Sequence, residues 1–269
     1  VVDSRAAVPG SVFVALRGER QDGHTFITDA VKKGAVAVIA ERVTAAQLHA
    51  SGCRVFDVVG GSGWDDDTPG VPVCLLVRNS LTALQQAAAD WRRRHDVRVV
   101  AITGSIGKTT TKEVTASVLG RRYTTLKSEG NYNNEIGLPL TLLHLAARHQ
   151  RVVLEMGMYD VGEIAELARI ALPQVGLVTN VGPSHLERLG TIERIALAKA
   201  ELPAALPPSG EGGVAILNAD DQHVRAMARQ TPAQVVTYGL APDADVRASD
   251  VTSEGLEGVR FRLHYRGET

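Results

Sequence analysis

The chain has 269 residues, enough for two domains or one large α/β unit, and its 44% hydrophobic and 22% charged residues are ordinary for a globular protein. A formal net charge of −1 supplies no general basic field to attract nucleic acid or anionic lipid. No apolar stretch approaches membrane-spanning length, no signal-peptide pattern opens the chain, and Cys53 and Cys74 lack metal-type spacing, as in a reducing cytosol.

Residues 1–78 read as a small Gly- and Val-rich α/β domain. β-Branched runs predict strands at 12–16 and 35–40, a helix at 26–33 between them, and a last strand at 74–77. The glycine-rich stretch 60–63, the acids at 65–67 and Pro69 predict a polar loop. A second domain runs over 79–269. Asn79 or Ser80 caps a helix ending near residue 94, with Leu81, Leu84, Ala88 and Trp91 on one face. Arg92, Arg93 and Arg94 read as its solvated end. Strands at 97–103, 152–156, 175–180 and 214–218 then alternate with helices at 110–119, 163–171 and 192–206. Near-continuous apolar strands between amphipathic helices predict a mostly parallel sheet covered by helices on both faces. Residues 246–269 alternate weakly through Val259, Phe261, Leu263 and Tyr265, as an antiparallel hairpin arm would.

The strand at 97–103 runs into Gly104, Ser105, Ile106, Gly107, Lys108, Thr109 and Thr110, and a helix follows. Such a turn alone serves equally to start a helix, and its two-residue gap between glycines departs from the general G-x-x-x-x-G-K-[ST] template. Between a strand and a helix it reads as a phosphate loop. Backbone N–H groups and the helix N-terminus face an anion, Lys108 adds a positive charge, and Thr109 can offer a hydroxyl to magnesium. Ligands of parallel sheets gather beyond the carboxyl ends of strands. Lys108, Glu155, His185, Asn218 and Asp220 all fall there. Taken singly, Glu155 could merely pair with a basic neighbour, His185 could be a loop histidine, and Lys199 could face solvent. Asn131, Asn133 and Asn134 could serve only turn chemistry. No Ser/His/Asp or Cys/His arrangement is present.

Asp3, Ser4 and Arg5, Pro9 and Gly10, the run 13–16, and Asp22 to His24 accompany the loop 103–110. Together these residues resemble the Mur ligases, ATP-dependent amide-forming enzymes of peptidoglycan precursor synthesis, whose shortened phosphate loop matches the departure noted above. The runs 130–139 and 154–158, with 162–164, look like the MurF branch, which adds D-alanyl-D-alanine. The resemblance implies an N-terminal domain that grips UDP-N-acetylmuramoyl-tripeptide, with Ser4 and Arg5 in contact, and a central ATP-binding domain. It implies that two magnesium ions are held by Thr109, Glu155, His185 and Lys199, the last carbamylated. It makes Lys108, Glu155, His185 and Lys199 catalytic, puts Asn131, Asn133 and Asn134 at the substrate end of the phosphates, and sets Asn218 against adenine.

The implied reaction activates the tripeptide carboxylate as an acyl phosphate, which the amine of D-alanyl-D-alanine then attacks. The partners expected are small molecules only, with no nucleic acid and no membrane insertion, for a monomeric cytoplasmic protein. Two alternatives remain open: another ligase of the superfamily (diaminopimelate- or lysine-adding, or folylpolyglutamate synthase), and a non-catalytic nucleotide-binding module. Val1 in place of an initiator methionine reads as a fragment boundary, and the family's C-terminal domain is not matched. The expectation is therefore a piece that binds ligands but ligates poorly.

Overall fold

The computed structural model describes residues 1–18, 21–61, 70–184, 186–255 and 258–265. Most of the polar loop expected at 60–70, and His185, lie outside the described residues. The chain divides into two compact units, Val1–Ala87 and Ala88–Thr269.

In the first unit, β1 (Val12–Val14), β2 (Ala37–Ala40), β3 (Arg54–Asp57) and β4 (Val73–Leu76) form a parallel sheet in the order β1-β2-β4-β3. Helices α1 (Ile27–Lys32) and α2 (Ala45–Ser51) connect them. Phe13, Ile27, Val38 and Cys74 are buried together in its core. Thr44 and Gln47 close a capping box at the start of α2, which satisfies backbone donors at both positions. Helix α3 (Ser80–Arg93) carries the division between the units.

The second unit is built on eight strands in the order β12-β11-β10-β9-β8-β5-β7-β6. They are β5 (Arg98–Thr103), β6 (Thr125–Lys127), β7 (Arg151–Glu155), β8 (Val175–Val178), β9 (Val214–Asn218), β10 (Gln234–Gly239), β11 (Val246–Ser253) and β12 (Val259–Tyr265). All pairings are parallel except β11 with β12, the expected hairpin arm. Helices α4 (Lys108–Gly120), α5 (Gly137–Leu142), α6 (Glu163–Ala171), α7 (Leu186–Leu189), α8 (Ile192–Ala204) and α9 (Gln222–Ala226) complete the unit. Residues alternate between the two faces of a strand, and both faces here are apolar. Val99, Ala101, Val152 and Leu154 pack in one cluster with residues of α6 and α8. Val100, Ile102 and Val153 pack in another with Ala116 of α4. The sheet is mostly parallel with helices on both faces, as the sequence predicts.

One expectation fails at the end of α3. Arg92 is buried, not solvated. Its guanidinium donates to the carbonyls of Ala171, His95, Val97 and Leu172 at 2.9–3.4 Å, and so satisfies acceptors both where α6 ends and in the segment that follows α3. A fork of fixed N–H donors suits that task, and burial of the group lowers its pKa.

Candidate functional site

Strand β5 lies between β7 and β8, so the chain leaves it toward one side of the sheet and later returns on the other. Ligand crevices of open α/β sheets form at such a reversal. The register pairs Ile102 with Glu155, Thr103 with Val178, and Val178 with Leu217. Glu155, Thr179 and Asn218 therefore reach the same rim as the loop after Thr103.

At Gly104 φ is +144°, and a Cβ there would stand 1.8 Å from Thr179 Oγ1, so only glycine fits. Gly107, at φ +86°, caps α4 in the left-handed region. The loop between them is held by residues 179–182. Ser105 N–H donates to Asn180 O (3.0 Å), and the Ser105 hydroxyl donates to Gly182 O (3.0 Å). Ile106 N–H donates to Asn180 Oδ1 (3.0 Å), and the Thr179 hydroxyl donates to Ile106 O (2.7 Å). These bonds fix the loop's shape before any ligand arrives. Lys108 Nζ donates to Gly104 O (2.8 Å) and Ser105 O (3.2 Å), folding back over its own turn. Burial pulls its pKa down, and the negative charge of Glu155 works against that shift.

Glu155 is the last residue of β7 and only 2% exposed. Its Oε2 accepts the Thr109 hydroxyl (2.9 Å), and its Oε1 accepts Asn133 Nδ2 (2.8 Å). Asn133 holds Glu155 and Asn134 Oδ1 accepts Gly137 N–H (2.9 Å) at the start of α5, while all three asparagines line a cavity of about 140 Å³. Lys108, Asn133, Tyr159, Glu163 and Lys199 line the same cavity. Lys199, on α8, is 2% exposed, and no hydrogen bond joins its amine to another described residue. Its pKa is pushed down to about 7, first by burial and then by the charge of Lys108. A lysine so placed is about half neutral amine at pH 7, where an ordinary lysine is almost wholly ammonium.

Other expected site residues are already engaged. Asn218 Nδ2 donates to Thr179 O (2.8 Å), and its Oδ1 accepts Asp220 N–H (2.9 Å). The Asp220 carboxylate accepts the N–H groups of Leu240 and Ala241, while Asp221 caps α9 and accepts Val181 N–H (2.7 Å). In the first unit, buried Ser4 donates to Asp29 Oδ2 (2.7 Å), and exposed Arg5 forks onto Asp3. Among the described residues no three His, Cys, Asp or Glu side chains gather as a metal site. A larger cavity of about 400 Å³ opens between β10, β11 and β12, and no phosphate-loop residue lines it.

Sequence reasoning missed Lys112, which is 0% exposed and reaches toward Glu155. It also missed Thr179 and Asn180, which shape the loop. Lys112 stands three residues after Thr109, so the two share a helix face, and that spacing was the available signal.

The fold and the rim define a phosphate-loop α/β protein, with a buried carboxylate facing the loop across the end of the neighbouring strand. Comparison with known families narrows the class. Residues 102–269 match the Mur ligase middle domain, and residues 1–92 match the model described as the Mur ligase family, catalytic domain. The chain belongs to the Mur ligase family.

It is 42% identical over 267 residues to UDP-N-acetylmuramoyl-tripeptide–D-alanyl-D-alanine ligase of Synechocystis sp., covering 98% of this chain and 53% of that protein. To the ligase of the same name from Bacillus subtilis it is 37% identical over 264 residues, covering 97% and 51%. Among solved structures, MurF from Acinetobacter baumannii superposes with a TM-score of 0.83 at 32% identity, covering 99% of this chain and 52% of that one. MurF ligase from Thermotoga maritima in complex with ADP gives 0.81 at 31% identity, covering 100% and 56%. The chain thus spans about half the length of the curated relatives it matches.

Proposed function

We propose that this chain is the substrate-gripping and ATP-binding part of an ATP-dependent ligase that joins D-alanyl-D-alanine to UDP-N-acetylmuramoyl-tripeptide. The observation that carries the reading is the meeting of Lys108, Thr109, Glu155 and Lys199 around one strand-end rim. ATP binds with its phosphates over the loop 104–110, where N–H groups of α4 and Lys108 face them. Residues 1–78 bind the UDP-muramoyl peptide, with Ser4 and Arg5 in the part nearest the chain start. The central domain occupies 79–269.

The donor set fits magnesium. Glu155 and Thr109 offer oxygen atoms side by side, and magnesium commonly takes one or two protein oxygens together with substrate phosphates. Lys199 adds an oxygen donor if its neutral amine takes up carbon dioxide as a carbamate, and His185 completes the proposed set for a second ion. A bound cation would offset the negative charge gathering on the transferring phosphoryl group.

In the reaction, a carboxylate oxygen of the tripeptide bonds to the γ-phosphorus of ATP, and the bond to ADP breaks. The amine of D-alanyl-D-alanine then attacks the acyl carbon, phosphate leaves with the bonding electrons, and the amine's surplus proton passes to solvent or phosphate. Both reactants of the first step are anions, so the work of this chain is to suppress repulsion. Lys108 lies against the loop where charge develops, and the fixed N–H groups around it need no reorganisation. Asn131 and the 133–134 turn border the substrate end of the phosphates. The protein acts as a monomer in the cytoplasm, where ATP and the nucleotide-linked precursor are both available.

The test uses the complete gene product with ATP, magnesium, the tripeptide precursor and hydroxylamine. A hydroxamate of the precursor that depends on ATP supports the acyl phosphate, and amide formation with D-alanyl-D-alanine but not with diaminopimelate or lysine supports the branch. Tight ATP binding without hydroxamate on any candidate carboxylate would make the chain a binding module.

A further inference from the structure

Lys112 occupies an unusual place. It lies one turn beyond Lys108 on α4, is 0% exposed, and has three oxygen partners around its ammonium. Nζ donates to Gly130 O at 3.0 Å, stands 3.3 Å from Glu113 Oε1, and stands 3.9 Å from Glu155 Oε2. Glu113 in turn pairs with Lys127 on β6. A buried ammonium with fewer partners would be strongly unfavourable, so this arrangement is held in place from three sides. Gly130 O opens the turn that carries the asparagines. That turn is tied to the rim at two further points, by Asn133 Nδ2 on Glu155 (2.8 Å) and by Gly157 N–H on Asn133 O (2.8 Å). Lys112 is thus a direct link between the phosphate-loop helix and the asparagine turn.

We propose that Lys112 is a positioning residue that couples occupation of the phosphate loop to the order of the turn 130–134, and so sets Asn131 and Asn133 when nucleotide binds. The inference rests on the nucleotide reading above. A ligand pulling on Thr109 or Glu155 shifts the carboxylate that Lys112 and Asn133 share, and the ammonium carries the shift to Gly130. Without the ammonium, the phosphate loop keeps Lys108 and its bonds to residues 179–182, but the turn loses the tether that hears it.

The experiment is residue-resolved amide exchange on the chain and on Lys112→Met, each with and without magnesium and a non-hydrolysable ATP analogue, with affinity measured by calorimetry. In the unaltered chain, nucleotide should raise protection at the amides of Asn133 and Gly157 at least tenfold. In Lys112→Met the analogue should bind within about threefold of the unaltered affinity, while the rise at those two amides disappears and protection along β5 stays intact. If Lys112→Met does not fold, Lys112→Gln, which keeps a shorter donor, is read in the same way and should retain only part of the rise. An unchanged rise in a variant that binds nucleotide overturns the proposal, as does an even loss of protection across β5 and α4, which marks a purely structural lysine. Absence of analogue binding to the unaltered chain would instead overturn the nucleotide reading itself.

Discussion

Lys199 shows how burial changes the proton affinity of an ordinary residue. In the sequence it is a lysine within a helix, Ala198 and Ala200 at its sides, and only the family resemblance marks it. In the fold, burial and then the charge of Lys108 bring its pKa to about 7. The unfolded chain holds this proton up to the usual lysine range, so between about pH 7 and the unfolded value it binds more protons than the folded chain. Stability contributed at this site therefore rises with pH across that window, and the full penalty is present below it. Lys199→Met should accordingly be more stable than the unaltered chain below pH 7, with the gap narrowing toward pH 10. Urea midpoints measured across that range in bicarbonate-free buffer check this, and a gap independent of pH would contradict it. The asparagines teach a related lesson: their residue types announce a turn, but only the hydrogen bonds separate Asn133, which holds Glu155, from Asn134, which holds the start of α5.

Among the elements, the central strands and the helices between them are plain in the sequence, because strands buried on both faces leave unbroken apolar runs. β5, β7, β8 and β9 and helices α3, α6 and α8 stand close to where those runs place them. Others carry no such signal. β6 has three residues, α5 opens with Gly137 and includes Pro139, and β10 is half-buried along most of its length with Gln234 and Thr237 breaking the run. The hairpin β11–β12 follows its period of two, yet Val259, Phe261, Leu263 and Tyr265 are exposed, since alternation reveals a strand and not what covers it. The loop between β5 and α4 depends most sharply on one residue. Gly104→Ala combines an unfavourable φ with a Cβ driven into Thr179, each worth about 1–3 kcal/mol of destabilisation. Denaturant unfolding should show the loss, and Thr179→Gly in the same chain should restore part of it. Full stability in Gly104→Ala would mean that the turn is not held as described.

Over the whole molecule, the site is a product of topology. Residues 103–109, 155, 179–182 and 199 are scattered through nearly a hundred positions, and the reversal of strand order around β5 brings the strand ends among them to one rim, with Lys199 of α8 sharing a cavity with Lys108. The strand, glycine turn and helix around Lys108 were readable because they are contiguous. The bracing by Thr179 and Asn180 was not, because it depends on partners distant in the chain, and the helix spacing of Lys112 shows its face but not its partners Gly130 and Glu155. The central claim is that this rim receives nucleotide phosphates through Lys108, and calorimetric titration of magnesium-ATP into the chain and into Lys108→Ala tests it most directly. The unaltered chain should bind, and the variant should bind roughly tenfold to a hundredfold more weakly, as expected for a charge-assisted contact of about 1.5–3 kcal/mol. No binding by the unaltered chain, or equal affinity in the two, would contradict the claim.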